Sequence, residues 1–399
     1  MPRSLSTRKT YSAPSFNKLC QPLVDILKRC PLLESRCNRP LQMEFGHQLN
    51  ALIFFHLEEH TSGRHLIQDL QEDDFARTNI APPQGIQKSS FFEAMHDRPL
   101  EQFLFVFEEL QKYATMILPQ KFPELGNLVG IDGSLIDSVL SMEWADYRDG
   151  VKKAKTHIGF DLNRSMPKKV FLTDGNSGER PFVNKILSPG ETGVTDRGYQ
   201  SHQNFDLLQA EGKHFACRIK ENTTVTLLES YPLLPDSIVF YDAKVLLGQG
   251  INQTKTPLRL VGYLIDGRNY WIATDRFDLT AEQIAQIYKL RWDIEKFFAW
   301  WKRHLRVYHL ISRSQNGLMI QILSGLITYL LLAIYCHEEH GETVNIKRVR
   351  ELRNKILNET RTTESEVQCC GDLSLRRLQT FMQLLNRTKL GKNSNSIFS

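Results

Sequence analysis

Tyr288-Lys289-Leu290-Arg291-Trp292-Asp293-Ile294-Glu295-Lys296-Phe297-Phe298-Ala299-Trp300-Trp301-Lys302 is the stretch from which the rest of the chain becomes readable. On a helix advancing about 100° per residue, with Tyr288 at zero, Arg291 falls near 300°, Glu295 near 340° and Lys302 near 320°. The four polar residues therefore share an arc of about 60°. An apolar stripe lies beside them: Ile287, Leu290, Ile294, Phe297, Phe298, Trp301 and Leu305. Such a helix packs by one stripe and presents an acid flanked by two bases along the stripe's edge. A solvated helix scatters its charges over its outer face, whereas this one aims them.

The chain has 399 residues, enough for two or three domains and a sizeable core. Its net charge of +5 is unevenly placed. Residues 1–40 carry eight Lys/Arg against two Asp/Glu, and residues 286–310 carry six against two. From 341 onward the count is eleven against six, while residues 41–120 reverse the balance with five against twelve. Basic ends and a basic central helix suit a polyanionic partner; the acidic block argues against residues 41–120 as the main contact surface. Seven scattered cysteines without a Cys-x-x-Cys pair read as reduced thiols of a cytosolic protein. Cys20, Cys30, Cys37 and His47 do not follow zinc-finger spacing. Leu318–Cys336 is long enough to span a bilayer, but Gln321, Ser324, Gly325 and Thr328 mark it as a buried core helix. No signal segment and no membrane partner are expected.

Taken in order, residues 1–38 read as a basic arm leading into a short helix near Leu23–Arg29. Helical periodicity follows to Met116, carried by Leu49, Leu52, Ile53 and Leu57 and then by Phe103, Val106, Phe107 and Leu110. Ala81–Gly85 is a loop, and Ser89 and Ser90 are candidate N-caps for the helix holding Phe91, Phe92 and Met95. This region suits a small helical DNA-recognition domain and a helical dimerisation or packing unit equally. His56 and His60 lack the glutamate placement of a metalloprotease and read as surface histidines. From Leu128 the texture turns to strands. Leu128–Ser134 reads as a strand ending in Asp132 and a glycine turn, followed by Thr156–Leu162, Lys169–Thr173 and a short run to Thr195 before Asp196. Ser201–Glu211 is helical, and His214–Ile219, Ser237–Leu247, Leu258–Ile265 and Tyr270–Thr274 are strands. Thr280 with Gln283 starts the helix of the opening stretch. The basic tail frays near Lys392–Ser396.

Asp132, Asp196 and Glu295 can together form a hard-oxygen site suited to Mg2+ and a phosphate. Two ions held about 4 Å apart would serve in-line phosphoryl transfer. Arg291 can clamp a phosphate, Lys302 can touch one as a point charge, and Tyr288 offers a hydroxyl or a stacking face. Taken singly, each acid reads more simply: Asp-Gly and Asp-Arg-Gly as turns, Glu295 as a helical ion pair. Lys155 and His157 read as an exposed strand pair, Arg197 as a salt-bridge partner, and Trp292 and Trp300 as packing beneath the β-rich stretch.

The spacing Tyr288-(2)-Arg291-(3)-Glu295-(6)-Lys302 resembles the signature of the bacterial insertion-sequence transposases of the IS-four family, over about residues 125–335. Asp132 in Ile-Asp-Gly-Ser and Asp196 in Thr-Asp-Arg-Gly-Tyr look like that family's first and second acids. The resemblance implies an α/β fold, a ribonuclease H-like catalytic core with a β-rich insertion, preceded by a helical N-terminal region. It implies a division into 1–120, 121–340 with the insertion at about 213–276, and a basic tail at 341–399. Implied as well are catalytic and metal-binding roles for Asp132, Asp196 and Glu295, and DNA contacts by Tyr288, Arg291 and Lys302. Two Mg2+ ions, with Mn2+ as a substitute, would be the cofactors. The partners would be the double-stranded DNA of terminal inverted repeats and target, with a homodimer in the synaptic complex of a cytoplasmic, nucleoid-associated bacterial protein. Rival readings are a structure-selective nuclease on the same fold and a catalytically silent DNA-binding derivative. A glycosidase with paired carboxylates ranks last, since it leaves Arg291 and Lys302 without a role.

Overall fold

β1 (Asn127–Asp137) lies between neighbours of opposite sense, and this sets the architecture. In the computed structural model, which describes residues 13–32, 43–137, 142–148, 151–307 and 309–359, β1 pairs antiparallel with β3 (Val151–Asp161) and parallel with β5 (Glu191–Thr195). β3 also pairs with β2 (Asp146–Arg148) and with β4 (Met166–Asp174). On the other side β5 pairs parallel with β6 (His214–Arg218). The sheet then continues antiparallel through β10 (Arg268–Thr274), β9 (Leu258–Ile265), β8 (Val239–Leu247) and β7 (Val225–Ser230), ten strands in one sheet. β6 therefore belongs with the parallel strands, and the antiparallel extension begins at β7. The beginning and end of the expected basic arm, at 1–12 and 33–38, and the tail from 360 lie outside the described residues.

The strand carrying Asp132 does not end there, as the sequence had suggested. β1 runs on through Gly133 and Ser134 to Asp137, because β3 keeps pairing with it as far as Asp137↔Lys153. What stops is the parallel side: the β1–β5 register ends at Gly130↔Val194. Beyond that pair the sheet opens between the two strands.

Helices α1 (Pro14–Cys20), α2 (Leu23–Lys28), α3 (Phe45–Leu57), α4 (Gly63–Glu72), α5 (Asp74–Asn79), α6 (Lys88–Asp97) and α7 (Glu101–Ile117) precede the sheet. Ser62 and Asp73 cap α4 and α5 by accepting the amides of His65 and Ala76. Ser89 and Ser90 are not caps: α6 already starts at Lys88 after an extended Gln87, which places both serines inside its first turn. His56 and His60 are not on the surface either. They are 0% and 1% exposed, because α3 turns His56 into the core and the turn after α3 folds His60 back over its end, the His60 amide reaching the Phe55 carbonyl at 3.2 Å. His56 meets the Leu305 carbonyl at 2.6 Å and the Ser324 hydroxyl at 3.0 Å, and burial holds its imidazole down at about 4.

α8 (Arg180–Ile186) and α9 (His202–Ala210) flank the sheet, and α10 (Ala281–Leu290) opens with a full capping box between Thr280 and Gln283. α11 (Trp292–His304) and α12 (Gln315–His340) follow. α12 packs against α7, α3 and α6 and reaches β4. It has the length and composition of a membrane span, yet 94% of its most apolar window is buried inside the protein. Each buried Leu or Ile there contributes about 2 kcal/mol over exposure to water. Gly341 ends it in the left-handed conformation (φ 64°), its amide reaching the His337 carbonyl at 2.8 Å.

Candidate active site

The opening of the sheet between β1 and β5 is where the acids lie. The parallel register pairs residue 130 with 194, so Asp132 stands level with Asp196, each two positions past the last paired residues. Asp196 directly follows β5 and leads into a short turn, Arg197–Tyr199. Ligand sites form at such carboxyl ends of parallel strands, where neither neighbour fills the space.

Glu295 arrives from the helical layer. α11 crosses β1 at Gly130, where a side chain would lie 3.5 Å from the Ile294 Cβ and 3.0 Å from the Leu162 side chain. With no side chain at 130, Ile294 settles against the strand and the next residue, Glu295, faces the Asp132 end. Further along α11, the Lys302 ammonium donates to the Leu135 carbonyl at 3.1 Å, so helix and strand run together on the same side of the site. Burial lowers the proton affinity of Lys302, against a smaller opposing pull from Asp137 and Asp132.

Tyr288 to Lys302 is not one continuous helix. α10 ends at Leu290 and α11 begins at Trp292. The Arg291 amide bonds the Tyr288 carbonyl at 3.1 Å and the Ile294 amide bonds the Arg291 carbonyl at 3.2 Å, a tightened turn of three-residue spacing. The join turns Arg291 inward, to 8% exposure. Its guanidinium meets Glu295 Oε1 at 2.7 Å and lies 5.6 Å from the centre of the Tyr288 ring. The expected apolar stripe is otherwise buried as read, with Leu290 half-buried.

Asp132 accepts the Gly133 amide at 2.8 Å. Burial pushes its carboxyl up to about 6, and Glu179 and Glu295 push the same way against the pull of that amide and of Arg291. Asp196 accepts the Tyr288 hydroxyl at 3.2 Å, and Arg218 on β6 approaches it to 4.0 Å. As they stand, no three acidic, histidine or cysteine side chains among the described residues converge closely enough to hold a metal ion, since Glu295 turns to Arg291. The donor chemistry nonetheless fits a hard divalent cation: partly exposed carboxylates, one of them pushed toward protonation by burial and then by its acidic neighbours, with Arg291 as the positive charge among them.

Four other residues stand differently from their sequence readings. Lys155 and His157 are 5% and 0% exposed, since β3 is covered on this face by α8 and the loop before it. The His157 ring stacks on Phe182 at 3.9 Å. Trp300 packs on Tyr329 of α12 at 5.3 Å, and Trp292 is 55% exposed beside Arg291, so neither tryptophan lies under the antiparallel strands. Arg218 and Glu179 escaped the sequence reading, because only strand pairing and the approach of α8 bring them to the acids.

The sequence model of the family described as Transposase DDE domain matches residues 129–331, just over half of the chain and all of this site. A protein of Geobacillus stearothermophilus, named as a transposase for an insertion sequence element, is 26% identical over 48% of this chain and 52% of its own length. One of Synechocystis, similarly named, is 24% identical over 70% of this chain and 80% of its own. A third, named as a transposase of Sinorhizobium fredii, is 29% identical over 48% and 56%. The chain thus spans about half the length of the first and third of these relatives.

Proposed function

The chain belongs to the Transposase DDE domain family, and from that premise we propose that it cleaves the terminal inverted repeats of an insertion sequence and transfers the freed strands into target DNA. The observation that carries this reading is the level placement of Asp132 and Asp196, each two residues past the last parallel pair between β1 and β5, with α11 laying Glu295 alongside. Asp132, Asp196 and Glu295 would hold two divalent ions, Mg2+ or Mn2+. Bound there, the ions would activate the attacking water or 3′-hydroxyl and stabilise the leaving oxygen. Tyr288 fixes the Asp196 carboxylate through its hydroxyl, and Arg291 and Lys302 supply the positive charge that receives backbone phosphates.

The strand order β4-β3-β1-β5-β6, with β3 antiparallel to its neighbours, supports a ribonuclease H-like core. β7 to β10 would then be the β-rich insertion, residues 1–120 the end-binding region and residues 341–399 a basic tail. The spacing from Tyr288 to Lys302 supports placement in the IS-four family. Synapsis of two ends requires at least a dimer, and the DNA substrate places the protein with the nucleoid in the cytoplasm.

The test incubates the purified chain with Mg2+ and a plasmid bearing the DNA that flanks its own gene. Cleavage at the repeat ends with joined products is expected, and each of Asp132→Ala, Asp196→Ala and Glu295→Ala should abolish it while DNA binding persists. Arg291→Ala and Lys302→Ala should weaken binding and slow cleavage less completely. Cutting that never yields joined product would make the protein a nuclease, and binding without cutting would make it a silent derivative.

A further inference from the structure

The loop between β4 and α8 crosses the floor of the site, and three contacts tie it there. The Lys155 ammonium on β3, 5% exposed, donates to the Ser177 carbonyl at 3.0 Å and pairs with Glu179 Oε1 at 3.3 Å. At the other end, Arg180 Nε donates to the Gly198 carbonyl at 3.2 Å, two residues after Asp196. Between these anchors Glu179 is pressed onto β1. A Cβ on Gly133, the neighbour of Asp132, would stand 2.9 Å from Glu179 Oε1. The bare strand at 133 is therefore what lets a fourth carboxylate come beside Asp132.

A buried lysine needs a counter-charge, and neutralising Lys155 would be reason enough for a glutamate here. Tyr199 points further. It is 3% exposed, and its hydroxyl faces Glu179 and Asp132 without closing a hydrogen bond of ordinary geometry to any described residue. A buried hydroxyl left open costs roughly 1–3 kcal/mol. A hydroxyl set between Glu179 and Asp132 calls for a polar partner, and one surrounded by acids is served by a hydrated cation.

Resting on the function proposed above, we propose that Glu179 is a positioning residue for the divalent ion at Asp132, with Lys155 holding its carboxylate in place and Tyr199 completing the pocket. It contributes negative charge and an acceptor for the ion's hydration water, and takes no part in strand transfer itself. Groups of this kind typically change metal affinity 10–100-fold.

The test titrates the full chain with Mn2+ alone, following loss of the free-ion paramagnetic resonance signal, and in parallel measures the Mn2+ concentration for half-maximal cleavage. Glu179→Gln should weaken Mn2+ binding and raise the half-maximal concentration about tenfold, with cleavage returning as the ion is raised. Glu179→Asp, which keeps the charge on a shorter stem, should fall between the two. Unchanged Mn2+ affinity in Glu179→Gln overturns the proposal, as does loss of cleavage that no Mn2+ concentration restores. Should Glu179→Gln fail to fold, Glu179→Asp decides: a threefold or greater loss of affinity upholds the role and parent affinity overturns it. Asp132→Ala separates the two readings, since Mn2+ binding and cleavage that survive in that variant sink the metal site itself, whatever Glu179 does.

Discussion

Asp132 is the residue at which fold and chemistry oppose each other most directly. Its carboxyl is raised from an ordinary value of 3.8 to about 6, by burial first and by Glu179 and Glu295 after it. Folding therefore favours the protonated form. The unfavourable charge is absent below pH 3.8, grows between there and 6, and stands in full above 6. In metal-free buffer Asp132→Asn should then be more stable than the parent at pH 8, by on the order of 2 kcal/mol, with the gain fading to nothing near pH 4. Urea denaturation at the two pH values checks this, and a constant difference would show that the charge is not the cause. Adding Mg2+ should stabilise the parent at pH 8 and leave the Asn variant unmoved. Much of the proposed site at this scale could be picked out without a structure, because Asp132, Asp196, Tyr288, Arg291, Glu295 and Lys302 sit in short local patterns whose spacing carries the signal. Glu179, Lys155, Tyr199 and Arg218 could not be, since their relation to the acids arises from the pairing of β1 with β3, the pairing of β5 with β6 and the seat of α8.

Elements whose instructions are local were legible in the same way. α10 announces itself by Thr280 and Gln283, and β8, β9 and β10 by their β-branched and aromatic runs. β7 was missed because all six of its residues are exposed, so no buried face imposes an alternating pattern. The break between α10 and α11 was missed because the fifteen residues across it keep helical periodicity; what tightens the turn is the pull of Arg291 inward to Glu295 and Tyr288. α8 depends on a close approach rather than on pattern. A Cβ at Gly159 of β3 would lie 2.4 Å from Ile186 Cγ2. Gly159→Ala should therefore lift α8 from the sheet and destabilise the protein by about 1–3 kcal/mol, as overpacking does. Thermal unfolding reads the loss, and no change would mean that Ile186 has room to turn aside.

Across the whole molecule one hydrophobic cluster runs from Ala13 to Ile356, joining α1 to α7 with β1, β3, β4 and α10 to α12. Polar ties follow the same course: Ser15 with Glu359, Arg353 with Glu59, and His56 with Leu305 and Ser324. The helical N-terminal region is thus packed into the body that carries the acids. Residues 121–340 expressed alone should be insoluble or loosely folded, because α12 would lose α3, α6 and α7 from its faces. A soluble fragment that unfolds cooperatively at the parent's temperature would show that the two regions are separable. The order of these parts along the chain has a further consequence. The ribosome completes the cradle of α3, α6 and α7 roughly 200 residues before it reaches α12, which at about 5–20 residues per second leaves tens of seconds for that cradle to assemble. The most membrane-like segment of the protein therefore leaves the exit tunnel with its hydrophobic receptor already waiting, and vectorial synthesis itself shields it from the machinery that inserts such helices into bilayers.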